Sequence, residues 1–233
     1  MHWLQNDYDT MQNLDLIART EDVHFGLDAS IGLGVATPLF DSDRHSLLPD
    51  AEINYGFRFG AAHELFIFSR IATRLEGGAA HDFLGAETID YFLATTDRSR
   101  LLLRVVAKQG HDLDLDHSLE LGGDNGLRGY PLRYQNGSQD ALFTMEERVY
   151  TRWYLLRLFN LGGAVFFDAG RTWGYAPVPT PNLGLLKDAG VGLRLGNARS
   201  SLGSVIHVDL AFPFETAPTI SRTQLLVSTQ ATF

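Results

Sequence analysis

The stretch "EDVHFGLDASIGLGVA", residues 21 to 36, alternates without a break. Val23, Phe25, Leu27, Ala29, Ile31, Leu33 and Val35 are apolar; Asp22, His24, Gly26, Asp28, Ser30, Gly32 and Gly34 stand between them. A helix would space its apolar residues three and four apart, whereas a period of two is the signature of a strand with two unlike faces. The run is also longer than the usual strand of about 5–6 residues. Residues 50–60 repeat the pattern, with Ala51, Ile53, Tyr55, Phe57 and Phe59 set against Asp50, Glu52, Asn54 and Arg58. It recurs at 65–76, 86–96, 99–109, 143–156, 163–172, 187–196, 204–214 and 224–233. The chain is therefore expected to be all-β, with about ten to eleven strands and almost no helix.

Composition narrows the classes. The 233 residues carry a net charge of -9 and no cysteine. An acidic balance gives no electrostatic footprint for nucleic acid, so no nucleic-acid partner is expected. The absence of cysteine excludes a disulfide framework and a thiolate zinc site, and suits passage through an oxidising compartment. No run approaches the roughly 20 apolar residues of a membrane-crossing helix. There is no Gly-x-Ser-x-Gly elbow and no phosphate-binding glycine loop before a helix. The segment "HDLDLDH" (111–117) groups Asp112, Asp114 and Asp116 between two histidines, but lacks an established ligand spacing. It reads as a solvated strand extension. Neither an enzyme, a cofactor nor a metal is expected.

Two architectures accommodate many amphipathic strands: a soluble sandwich or barrel, and a transmembrane barrel. In the first the apolar face meets a core; in the second it meets lipid while the polar face lines a lumen. Several segments reach the 9–11 residues that a tilted spanning strand needs. The polar faces carry both charge signs (Asp28, Arg58, Arg70, Arg104, Arg148, Arg194, Asp209), as a lumen of paired charges would. The gaps alternate as well: long at 37–49, very short at 61–64, medium at 77–85, short at 97–98, very long at 110–142, short at 157–162, long at 173–186, and medium at 197–203 and 215–223, with only the 197–203 turn longer than the pattern asks. Short turns on one side and long loops on the other are the habit of outer-membrane barrels. The expectation is an antiparallel transmembrane β-barrel. Its outward band would comprise Val23, Phe25, Leu27, Ile31, Leu33, Val35, Ile53, Phe57, Val191, Leu193, Ile206, Val208 and Leu210. Tyr55, Tyr91, Trp153, Trp173 and Tyr175 would join interfacial girdles.

The longest gap contains "GGDNGLRGYP" (122–131). Gaps beyond about 12–15 residues are usually functional or disordered. Arginine offers a planar five-donor group suited to carboxylates, and by alternation Glu146 and Asp168 can point from adjacent strands to one side. On its strand Glu146 would share a face with Arg148, Tyr150, Arg152 and Tyr154. "LRGY" (127–130), "EER" (146–148), "FFDAG" (166–170), "GVGLRLG" (190–196), "HVDLAFPF" (207–214) and the final Phe233 together resemble the BamA/TamA-type outer-membrane assembly and transport superfamily. That family includes surface-antigen barrels and two-partner secretion transporters. The resemblance implies that a loop carrying Arg128, Gly129 and Tyr130 folds into the lumen and is locked on Glu146, Asp168 and Gly170. Arg148, Arg194 and Asp209 would also face the lumen.

The resemblance further implies a sixteen-stranded barrel. The chain is then expected to be a single β-barrel domain over 1–233, the C-terminal part of a larger protein. A partial strand and turn would occupy 1–20, a lumen-inserting loop 110–142, and C-terminal strands 143–233. The alternative is a complete short barrel. The family inserts or translocates polypeptide in the bacterial outer membrane without nucleotide hydrolysis. Its partners would be the lipid bilayer, an unfolded or secreted polypeptide client, and the assembly machinery that reads Phe233 as a C-terminal signal. The other function class is a passive pore, or an anchor for a passenger such as a lipase-like domain.

Overall fold

Alternation of β-branched and aromatic residues with small or polar ones gives strands that pair along their whole length. The computed structural model describes residues 1–114, 117–176, 178, 180–198 and 204–231. In chain order the strands are β1 (His2–Leu4), β2 (Asp7–Gln12), β3 (Thr20–Ala36), β4 (Ser46–Arg58), β5 (His63–Glu76), β6 (Ala79–Thr96) and β7 (Ser99–His111). They continue with β8 (Leu119–Leu121), β9 (Gln135–Gly137), β10 (Gln139–Leu155), β11 (Phe159–Trp173), β12 (Leu186–Asn197), β13 (Ser204–Pro213) and β14 (Gln224–Ala231). Twelve form one antiparallel sheet in the order β1-β3-β4-β5-β6-β7-β10-β11-β12-β13-β14, with β2 alongside β3. The small hairpin β8–β9 belongs to the loop between β7 and β10. The ten segments read from the sequence are all strands; β1 and β2 run in line along β3, which brings the sheet to twelve.

The sheet curls. Gln230 of β14 lines the same cavity as Asp28 of β3 and Asn54 of β4. Among the described residues no ladder joins β14 to β1 or β2, so the order stays open. Connections fall into two groups. Those at 59–62, 97–98 and 156–158 are short, and those at 37–45, 112–138, 174–185 and 214–223 are longer. One connection differs from expectation: β5 and β6 extend until only Gly77 and Gly78 separate them, both at positive φ. A two-residue turn with φ > 0 matches the right-handed twist of the flanking strands.

The concave and convex faces differ sharply. Along β10 the residues Asp140, Leu142, Thr144, Glu146, Arg148 and Tyr150 are buried on the concave side. On the convex side Ile31, Leu33, Val35, Ile53, Phe57, Val191, Leu193 and Leu210 are exposed, while Leu27, Ile206 and Val208 are half-buried. Val23 and Phe25 do not join that band. Both are buried inside, packed with Met11, Leu14, Phe66, Phe92 and Leu102. The cause is Gly26, at φ 88°, where β3 changes face. The β3–β4 ladder stops at the pair Gly26–Gly56; residues 20–25 pair only with β2 and lean into the concavity. A second interruption lies between Tyr150 and Tyr154, where the β10–β11 register shifts. Arg152 and Tyr154 are consequently exposed and leave the face of Glu146. A β-bulge inserts an unpaired residue and so breaks simple alternation.

Gly26→Ala should lower the free energy of unfolding by about 1–3 kcal/mol, the usual cost of a side chain held in a disfavoured backbone region. Its added Cβ would also sit 2.8 Å from Gln5 Oε1. Gly163→Ala, whose Cβ would meet nothing nearer than 3.7 Å, should stay within about 0.5 kcal/mol of the parent in the same denaturant titration.

Candidate functional site

The loop from 112 to 138 turns back into the concavity, because its apolar residues and its arginine find partners only there. Leu121, Leu127, Tyr130 and Tyr134 are buried against Leu142 and Leu186. Gly129 sits where the loop backbone touches the wall. A Cβ there would lie 2.6 Å from Asp188 Cβ and 3.1 Å from the Pro213 nitrogen, so a side chain would lift the loop away. Gly170 has the same office on the wall side, closely flanked by Leu142 and Leu121.

Arg128 is the centre of the site. Its Nε and Nη2 donate to the two carboxylate oxygens of Asp168 at 2.7 and 3.0 Å, a bidentate pair. Nη1 donates to Glu146 Oε2 at 2.6 Å and to Asp209 Oδ2 at 3.4 Å. Its Cζ lies 3.4 Å from the centre of the Phe166 ring, so the guanidinium is stacked on an aromatic face while its edge meets three carboxylates. Burial works against this charge, but Asp168 and Glu146 outweigh it and hold the guanidinium above its ordinary pKa. Thr144 Oγ1 donates to Asp168 at 2.8 Å and fixes that carboxylate in turn. Tyr130 continues the anchor: its hydroxyl donates to the Lys187 carbonyl at 2.7 Å and contacts the Glu215 carboxylate. Burial, then Glu215, raises the phenol pKa.

The remaining residues form a second tier. Glu146 Oε1 accepts from Arg148 Nε at 2.9 Å and from Arg194 Nη2 at 3.0 Å, and Arg194 Nη1 donates to Asp209. Three guanidiniums (Arg128, Arg148, Arg194) thus face three carboxylates (Glu146, Asp168, Asp209). Matching of charge is what lets such a cluster exist in a water-poor interior, since an unpaired buried ion costs several kcal/mol. Every residue expected at the loop lock lies in or beside this cluster, as do Arg148, Arg194 and Asp209. Phe233 lies outside the described residues, as does Asp116. Asp114 is held by Arg74, with Nη2 donating at 3.0 Å, and Asp112 by His81 at 2.6 Å. Asp82, Asp114 and His117 form a close acidic–histidine group, with Asp114 engaged by that arginine. Phe166 is the residue whose role the sequence understated: its place in "FFDAG" hid that its ring is the platform for Arg128.

No protein-family model matches the chain, and no curated protein matches it either.

Replacing Arg128 by alanine leaves Asp168 and Glu146 each short of a partner, and should cost about 3–5 kcal/mol of stability. Arg128→Lys should recover only part, because a single ammonium cannot bridge two carboxylates as a planar fork does. Limited proteolysis of Arg128→Ala should cut within 122–134 at protease levels that spare the parent. Equal stability and an uncut loop would show that the apolar residues alone hold it.

Proposed function

We propose that this chain is the wall of an outer-membrane β-barrel that inserts or translocates polypeptide without nucleotide hydrolysis, its interior loop locked by Arg128. The observation that carries the reading is the inversion of polarity across one sheet. Buried ion pairs occupy the concave side, and aliphatic residues such as Ile31, Leu33, Val165, Leu225 and Val227 are more than 60% exposed. Water would not tolerate so broad an apolar face on a stable monomer, since exposed patches beyond a few hundred Å² mark contact with a partner or membrane. Lipid would favour it. Leaving aside the small β8–β9 hairpin, the strands from β3 to β13 run 10–18 residues and so reach the 9–11 that spanning requires. Aromatic side chains gather near both ends of the band: Phe57, Phe59 and Tyr91 at one, Trp173, Tyr175, Phe212 and Phe214 at the other.

Polypeptide is the client class that the edges fit. Among the described residues β14 is paired on one side only, and β1 and β2 pair only with β3. An unpaired edge supplies backbone donors and acceptors to an incoming strand, and alternate side chains then set its register. The motifs around Arg128, Glu146 and Asp168 resemble those of the BamA/TamA-type superfamily, which supports the same reading and a larger, sixteen-stranded barrel in the bacterial outer membrane. Phe233 would then be read by the assembly machinery. A second reading, a passive barrel anchoring a passenger, is favoured by one observation: the interior is entered from both ends, by the 112–138 loop and by the β2–β3 connection.

Two measurements test this. In bilayers containing brominated lipid, the fluorescence of the exposed Trp153 and Trp173 should be quenched by more than half. A protein that stays monodisperse in buffer and shows no quenching would end the membrane reading. The full-length protein in liposomes should then accelerate insertion or passage of an unfolded outer-membrane strand hairpin without ATP, and Arg128→Ala should reduce that rate at least tenfold. Quenching without any such acceleration would leave the passive anchor.

A further inference from the structure

The connection between β2 and β3, residues 13–19, enters the concavity from the end opposite to the Arg128 loop. Two side chains brace its fold: the Glu21 carboxylate accepts the backbone N–H groups of Leu14, Asp15 and Leu16 at 2.9, 3.0 and 3.0 Å, and Asn13 Oδ1 accepts the Ala18 N–H at 2.8 Å. Its tip residue, Ile17, is 2% exposed and packs with Leu16, Tyr150 and Val205. The seat is cut into the wall at two glycines. A Cβ on Gly196 would lie 2.9 Å from Ile17 Cβ, and one on Gly162 would lie 3.3 Å from Ile17 Cδ1.

Among the described residues no ladder bonds hold this tip to the wall. Wall side chains reach it: Arg148 Nη1 donates to the Leu14 carbonyl at 3.2 Å and pairs with Asp15 at 3.9 Å, the Tyr150 hydroxyl donates to the Asn13 carbonyl at 3.0 Å, and Asn160 Nδ2 donates to the Ile17 carbonyl at 3.0 Å. The hairpin leaves the large sheet at Gly26, beyond which β3 pairs only with β2. Beyond that glycine it is held to the sheet by side chains: Leu14, Val23 and Phe25 pack with Phe66, Phe92 and Leu102, and Arg58 pairs with Asp9. Leu14, Asp15 and Leu16 also form part of the lining of a cavity of ≈ 880 Å³, shared with Asn54, Phe68 and Asp90 of the sheet. Withdrawal of the tip would open that cavity toward the short-turn end.

Arg148 belongs to both inserts. Its Nε donates to Glu146 Oε1, and Glu146 Oε2 accepts from Arg128. We propose that residues 13–19 are a second, removable plug of the interior, latched through Arg148 and Glu146 to the Arg128 loop, so that release of the loop unseats the tip. Arg148 is a positioning residue in this scheme: Glu146 orients its guanidinium, and that guanidinium holds the Leu14 carbonyl. Loss of Arg128 leaves Glu146 free to rotate toward Arg148 and Arg194, and the grip on the tip changes. This goes beyond the barrel reading and does not require it, because the contacts are internal to the fold.

Hydrogen exchange of the full-length protein, read by mass spectrometry, tests the latch. Arg128→Ala and Glu146→Gln should each accelerate exchange of peptides covering 13–19 at least tenfold, as Arg148→Gln does directly, with exchange in β4–β6 unchanged. Tyr130→Phe loosens the same loop at its Lys187 end without touching Glu146, and should leave the tip as in the parent. The chain has no cysteine, so Ile17→Cys supplies a second readout. Its maleimide labelling should be slow alone and at least tenfold faster with Arg128→Ala. Acceleration confined to 122–134 in Arg128→Ala would overturn the proposal. So would equal acceleration of the tip by Tyr130→Phe.

Discussion

The bidentate pair between Arg128 and Asp168 is the contact on which the interior depends. It joins a residue of a long loop to a residue of the wall, forty positions apart in sequence. The loop contributes few backbone ladder bonds to the sheet, so its position rests on this pair, the Glu146 bond and a small apolar cluster. A guanidinium suits the task better than an ammonium. It is planar, satisfies two carboxylates along its edges and still offers a face to Phe166. The stacking removes water from one side of the ion and thereby strengthens the hydrogen bonds made in its plane.

Arrangement of charge explains how so many ions can be buried. Arg194 is 2% exposed, Asp168 is fully buried and Glu146 is 3% exposed. Each alone would destabilise the fold. Glu146, Asp168 and Asp209 each meet at least one guanidinium and Glu146 meets three, whereas Asp188, fully buried opposite Asp168, stands outside these ion pairs. The same logic recurs in smaller form between Arg100 and Glu64 and between Arg104 and Asp90. The interior is thus a set of ionic rungs, with aromatic and aliphatic clusters between them.

Two departures from regularity give the wall its contents. At Gly26 the backbone adopts φ 88°, and Val23 and Phe25 are turned from the convex to the concave face. Past Tyr150 a register shift releases Arg152 and Tyr154 outward and leaves the end of β10 free of the cluster. The first lets a hairpin lean inward; the second ends the buried stripe where the tip of that hairpin sits against Tyr150. Local breaks in pairing therefore define where the interior is occupied.

Much of this was legible in the residues. Period-two alternation specified the strands and their two faces, because a pleated backbone sends successive side chains to opposite sides. The motif residues Arg128, Glu146, Asp168 and Gly170 could be named together because their motifs resemble those of a known barrel superfamily; the chemistry of a guanidinium beside carboxylates and of glycine at a close approach fits that grouping but would not by itself have selected it. Val23 and Phe25 were misplaced because alternation carries no record of where a strand leaves the large sheet, and a glycine within a strand reads the same whether its φ is negative or positive. Ile17 and Glu21 could not be seen as a plug and its brace, since their partners Tyr150, Gly196 and the backbone of 14–16 meet them only after the sheet curls. The sequence by itself determined the strands, their polarity and the chemical kinds that must pair. Only the tertiary structure decided which strands become neighbours across the concavity, because that depends on the curl and on backbone angles that no local pattern encodes.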